Sequence, residues 1–180
     1  MNYDGGAALS LKFKRSVTMD LVYTSILNLF QDTLNVANAV DLFDSSNQLT
    51  KKILYQVLCS IPSARKISLR FNESMNGEEE CLEAFIRPFP SDVAARGEKT
   101  PCPKLEHLFF WCPYKGKTDG FFSYLEQAVK ARSEKGLQIH KLELQRCVRN
   151  ARELSVIRRW VKDLEFIIGW THDHRGSDSE

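Results

Sequence analysis

The sequence lacks any apolar run near the ~18 to 20 residues that a membrane-spanning helix needs. It also has almost no net charge, since Lys+Arg 25 against Asp+Glu 23 leaves +2 over 180 residues. A protein held mainly by nucleic-acid phosphates would be far more basic, so neither a nucleic-acid nor a membrane partner is expected. Met1 to Arg15 places its charges after a short mixed segment, which is not the layout of a secretory signal. Cysteine is sparse and unpaired: Cys59, Cys81, Cys102, Cys112 and Cys147 form an odd set with no CxxC. A disulfide framework is therefore excluded. Zinc is equally poorly served, because Cys102 and Cys112 stand ten apart with only His107 between them. Free, mostly buried thiols imply a reducing compartment, cytoplasmic or nuclear. With 43% hydrophobic and 27% charged residues the composition is that of one ordinary globular domain.

Signatures of catalysis are missing as well. There is no G-x-S-x-G elbow, no P-loop and no glycine-rich turn after the first strand. His172-Asp-His174 lies in a polar tail without further ligands nearby. Cys147 and His140 make a nominal Cys–His pair, but Cys147 falls in the buried turn slot of a repeat, which is a packing role. No enzyme activity, cofactor or metal is expected.

What the chain does contain is periodicity. Ile139-His-Lys-Leu142-Glu-Leu144-Gln-Arg-Cys147 fits L-x-x-L-x-L-x-x-(N/C) at every fixed position. Ala64 to Asn72 matches through Ile67, Leu69 and Asn72, and Leu105 to Pro113 through Leu108 and Phe110. Weaker copies are Ala8 to Ser16 (Leu11, Phe13), Ala37 to Ser45 (Val40, Leu42) and Val161 to Gly169 (Leu164, Phe166). Pro62, Pro103 and Leu137 each stand five residues before Ile67, Leu108 and Leu142. The fixed positions 13, 42, 69, 110, 144 and 166 are separated by 29, 27, 41, 34 and 22 residues.

Helical patterns fill the intervals. Asp20 to Leu34 carries a stripe of Val22, Ile26, Leu29 and Phe30. Thr50 is the expected N-cap of a helix with Ile53, Leu54, Val57, Leu58 and Ile61 on one face, ended by Pro62. Glu78 to Ile86 reads as a short helix with an acidic start. Asp119 opens a helix with Phe121, Leu125, Ala128 and Val129 inward, closed by Gly136. Asn150 with Glu153 resembles a capping box ahead of Leu154, Ile157, Trp160 and Val161.

Alternating strands and helices imply a parallel sheet with right-handed crossovers. The expected architecture is an α/β right-handed leucine-rich-repeat solenoid of about five or six irregular repeats over 1–170, with strands on the concave face and helices on the convex face. A proline-rich insertion loop occupies 87–103, and a polar, disordered tail 171–180. The competing architecture is a doubly wound sheet serving a small ligand-binding domain or enzyme.

The repeats resemble those in the C-terminal half of the basidiomycete F-box/leucine-rich-repeat proteins. The resemblance is carried by Ile61-Pro-Ser-Ala-Arg-Lys-Ile-Ser-Leu69, Cys102-Pro-Lys-Leu-Glu-His-Leu108, Gly136 to Cys147 and the closing stretch from Glu153 to Trp170. It spans about residues 36 to 170. It implies that the repeats hold a target protein, and that an F-box would dock on the adaptor subunit of a ubiquitin ligase. Met1 to Leu34 shows neither the Leu-Pro-x-Glu-like entry nor the three-helix pattern of an F-box, so a truncated relative or free-standing repeats are expected.

Side chains alternate along a strand, so residues flanking the inward Leu positions face a partner. That rule nominates Ser10, Lys12 and Lys14; Asp41 and Phe43; and Lys66, Ser68 and Arg70. It continues with His107, Phe109 and Trp111; Lys141, Glu143 and Gln145; and Asp163 and Glu165. The expected partner-binding set is Phe43, Lys66, Arg70, His107, Phe109, Trp111, Lys141 and Glu143. Phe109 and Trp111 beside Lys66 and Arg70 form its centre, unless the 87–103 loop covers them and makes them core. The basic stretch Arg149, Arg152, Arg158, Arg159 and Lys162 is interleaved with Glu153, Asp163 and Glu165, and reads as a solvated outer face.

Overall fold

The computed structural model describes residues 8–13, 31–44, 50–71, 78–85, 100–111, 119–146 and 151–167. The described residues form six strands: β1 (Ala8–Phe13), β2 (Ala39–Asp44), β3 (Lys66–Phe71), β4 (His107–Trp111), β5 (Lys141–Gln145) and β6 (Asp163–Ile167). They form one sheet in the order β1-β2-β3-β4-β5-β6, parallel throughout. A doubly wound sheet reverses its strand order at a switch point, and this order has no reversal.

Register follows the repeat. Leu42, Leu69, Phe110, Leu144 and Phe166 stand side by side across β2 to β6. The first strand differs from the sequence expectation, which sets Phe13 beside Leu42. Leu11 takes that place and Leu9 pairs with Val40. A slip of two residues equals one strand period, so the alternation of positions is kept.

The strand entries share one hydrogen-bond pattern. The Asn38 carbonyl accepts from the N–H groups of Arg65 (2.8 Å) and Lys66 (3.1 Å). In turn the Arg65 carbonyl accepts from Glu106 (2.9 Å) and His107 (2.8 Å), and that of Glu106 from His140 (2.8 Å) and Lys141 (3.0 Å). His140 continues the series by accepting from Asp163 at 2.8 Å.

Helices α1 (Gln31–Val36), α2 (Lys51–Ser60), α3 (Asp119–Glu134) and α4 (Ala151–Ile157), with a 3₁₀ helix at Glu78–Phe85, pack on one another in chain order. Their apolar stripes share a single core with one face of the sheet, from Val40 and Leu42 through to Leu142 and Leu144. Thr50 caps α2 as expected, its Oγ1 accepting from Ile53 N at 3.3 Å. Pro62 disfavours helical geometry at Ile61, whose ψ is 58°. The helix buries Ile53, Leu54, Val57 and Leu58, each contributing about 1.5 to 3 kcal/mol relative to exposure.

The acidic segment from Glu78 forms a 3₁₀ helix in place of the expected ordinary helix. Its buried Leu82 and Phe85 are three apart, the spacing that aligns in a three-residue turn. Glu83 on this segment pairs with Lys51 on α2. Helix α3 ends as expected at Gly136, whose φ is +73°. Leu137 N reaches the Arg132 carbonyl at 2.9 Å and Gly136 N that of Ser133 at 3.0 Å, completing a Schellman closure.

On α3 the inward stripe of Phe121, Leu125, Ala128 and Val129 runs on into Arg132, which is 3% exposed. Its guanidinium donates to the carbonyls of Pro101 (2.9 Å) and Cys102 (2.8 Å). Cys102 has φ 42°, and its N–H and thiol each lie 3.1 Å from the Leu58 carbonyl. Burial pushes the Cys102 thiol far above its ordinary range and lowers the Arg132 value. Arg132 therefore ties α3 to the segment leading into β4, and Cys102 ties that segment to α2.

The expected stripe from Asp20, the loop 87–99, the Asn150 cap and the tail 171–180 lie wholly or mostly outside the described residues, as do Lys14 and Cys147.

Candidate functional site on the open face of the sheet

Alternation puts every second strand residue on the side of the sheet away from the shared core. Parallel register then lines these residues up in three rows. The row at the strand starts holds Ala39, Lys66, His107, Lys141 and Asp163. The middle row holds Asp41, Ser68, Phe109, Glu143 and Glu165, and the row at the strand ends holds Phe43, Arg70, Trp111, Gln145 and Ile167. Ser10 and Lys12 extend the last two rows onto β1. All eight expected partner-binding residues, Phe43, Lys66, Arg70, His107, Phe109, Trp111, Lys141 and Glu143, thus come to one face.

They are not equally accessible. Phe109 is 5% exposed, so its ring is buried, while Trp111 and Phe43 are half-buried and Arg70 is exposed. Of the two aromatics at the expected centre, Trp111 is the more exposed.

Charge on the face is segregated. Lys141 Nζ lies 2.6 Å from Glu143 Oε1 and 3.0 Å from Glu165 Oε2. His107 Nε2 is 3.2 Å from Glu143 Oε2 but makes no in-line hydrogen bond. Burial lowers the His107 pKa; Glu143 opposes that shift and Lys66 adds to it. Glu143 is itself disfavoured by burial, yet Lys141 and His107 outweigh this and hold its carboxyl below the usual range. Hydrogen bonds to Glu143 and Glu165 raise the Lys141 value. Glu143 and Glu165 are therefore engaged within the sheet.

At the strand ends the balance is reversed. Among the described residues Arg70 has no carboxylate partner. The Arg146 guanidinium carbon stands 5.5 Å from the Trp111 ring centroid. Arg146 lies outside the expected site residues, because alternation from Leu142 and Leu144 would send it toward the core. Its φ of 58° breaks the alternation, a feature that its sequence signals do not reveal.

Elsewhere the chemistry is bland. No group of three metal-capable side chains exists among the described residues. His140 is exposed and sits 3.2 Å from Lys162 Nζ. No helix among the described residues is long and apolar enough to cross a membrane. The chain matches no family model, no curated protein and no solved structure.

Proposed function

We propose that the chain is a protein-recognition module, a leucine-rich-repeat solenoid that binds a partner or substrate protein across the open, concave face of its sheet. The observation that carries this reading is the strand-end row, where half-buried Phe43 and Trp111 alternate with exposed Arg70 on neighbouring strands. Aromatic and arginine side chains held on a rigid sheet are the usual anchors of a protein interface. Strands in chain order with helices packed in chain order support the solenoid reading. Resemblance to the F-box/leucine-rich-repeat proteins extends the proposal to substrate selection for a ubiquitin ligase.

The test is a tagged pull-down from native extract with the parent chain, Trp111→Ala, Arg70→Glu and the outer-surface control Arg158→Glu. The expected outcome is one protein lost with the first two changes and kept by the control, with ligase adaptor subunits as the readout for the family resemblance. Melting temperature is followed in parallel. A steep fall for Trp111→Ala would make Trp111 a core residue and overturn the site.

A further inference from the structure

The strand-end row also points to the chemistry of the partner. Trp111 is flanked by Arg70, its register neighbour on β3, and by Arg146, just beyond its β5 neighbour Gln145. Neither guanidinium has a carboxylate partner among the described residues, whereas Glu143 and Glu165 are both taken up by Lys141. Arg146 reaches this place only through a left-handed backbone that a non-glycine residue adopts at a cost. That conformation holds one planar fork against the indole, and among the described residues no acceptor takes up its side-chain N–H groups, which are open to a second ligand.

We infer that the Arg70–Trp111–Arg146 cluster takes an acidic, extended peptide segment of the partner protein, with an Asp or Glu carboxylate between the two guanidiniums and an apolar side chain on the indole. The inference rests on the docking reading above. A polyanionic backbone fits less well, because Asp163 and Glu165 stand exposed on the same face and would repel a run of phosphates. A single carboxylate at the strand ends avoids them.

The experiment is selection of a displayed random peptide library on the full chain, followed by binding titrations of the enriched peptides. The enriched pool should be richer in Asp and Glu than the input. Arg70→Gln and Arg146→Gln should each weaken a selected peptide by about tenfold, the loss of one charge-assisted pair, while Arg158→Gln leaves it unchanged. Changing the peptide's own acidic residue to Gln should weaken binding to the parent chain but add little against the Arg70→Gln/Arg146→Gln double variant. A pool without acidic bias, an absence of enrichment, indifference to both arginine changes, or tighter binding of an oligouridine RNA would each overturn the inference. If Trp111→Ala abolishes binding while both arginine variants retain it, the docking reading stands and the acidic partner does not.

Discussion

Arg132 offers the sharpest test of how this core is assembled. It is 3% exposed, and its two bonded partners are backbone carbonyls, those of Pro101 and Cys102. Replacement by Met keeps the apolar stem and removes the fork. Two opposing effects follow. The Pro101 carbonyl is left buried without a donor, at a cost of about 1 to 3 kcal/mol, while that of Cys102 keeps the Leu105 N–H at 3.1 Å. Against that, a cation no longer has to leave water, and replacing buried ions with well-packed apolar groups is often neutral or favourable. Pro101 directly precedes Cys102, whose bonds to Leu58 hold the backbone fixed, so the Pro101 carbonyl cannot turn to another donor. The orphaned Pro101 acceptor should therefore dominate, with a net loss of about 1 to 3 kcal/mol. For a domain of this size that is a fall in melting temperature of roughly 2 to 12 °C. Urea titration should give a lower midpoint with an unchanged slope. Arg132→Lys, which keeps the charge but loses the planar fork, should fall between the two. An Arg132→Met chain as stable as the parent would refute this reasoning, since relief from desolvating the cation would then match or exceed the cost of the orphaned Pro101 carbonyl.

Two further outcomes follow from the same geometry. The His107 pKa in the folded chain lies below its ordinary 6.5, so the unfolded chain binds the extra proton first. Stability contributed at this site is complete above pH 6.5 and declines as the pH falls toward the folded value. His107→Gln should flatten that limb in urea midpoints taken between neutral and mildly acidic pH, and an unchanged slope would exclude the assignment. Gly136 closes α3 at φ +73° with nothing near a would-be Cβ. Gly136→Ala should thus cost about 1 to 2 kcal/mol from backbone strain alone, read as a lower thermal midpoint; no change would show that the turn relaxes.

The parts of the fold that are legible from sequence are those set by a strict period. Ile67 and Leu69, Leu108 and Phe110, and Leu142 and Leu144 fix both which face is buried and where each strand sits beside the next. Thr50 and Gly136 are readable because a side-chain acceptor before a helix and a glycine after it answer defined backbone needs. Strand β1 sits two residues from its expected register because Leu9, Leu11 and Phe13 alternate uniformly, which satisfies two frames equally. The 3₁₀ turn escapes a reading by periodicity because an eight-residue stretch has too few apolar positions to separate three from 3.6 residues per turn. At the site, the face is legible but its accessibility is not: Phe109 and Trp111 look alike in sequence and differ in burial. Arg146 stays hidden because its placement depends on a backbone angle rather than a spacing.

The carbonyl series at the strand entries has a consequence for how the chain tolerates change. Each new strand takes its starting point from the one before it, so alignment is reset at every return to the sheet and errors do not accumulate. From β2 onward, equivalent positions recur after 27, 41, 34 and 22 residues, yet the rows remain level. The lengths of the excursions are thereby decoupled from the geometry of the face, and residues can be added or removed between strands while the order of side chains across it stays the same.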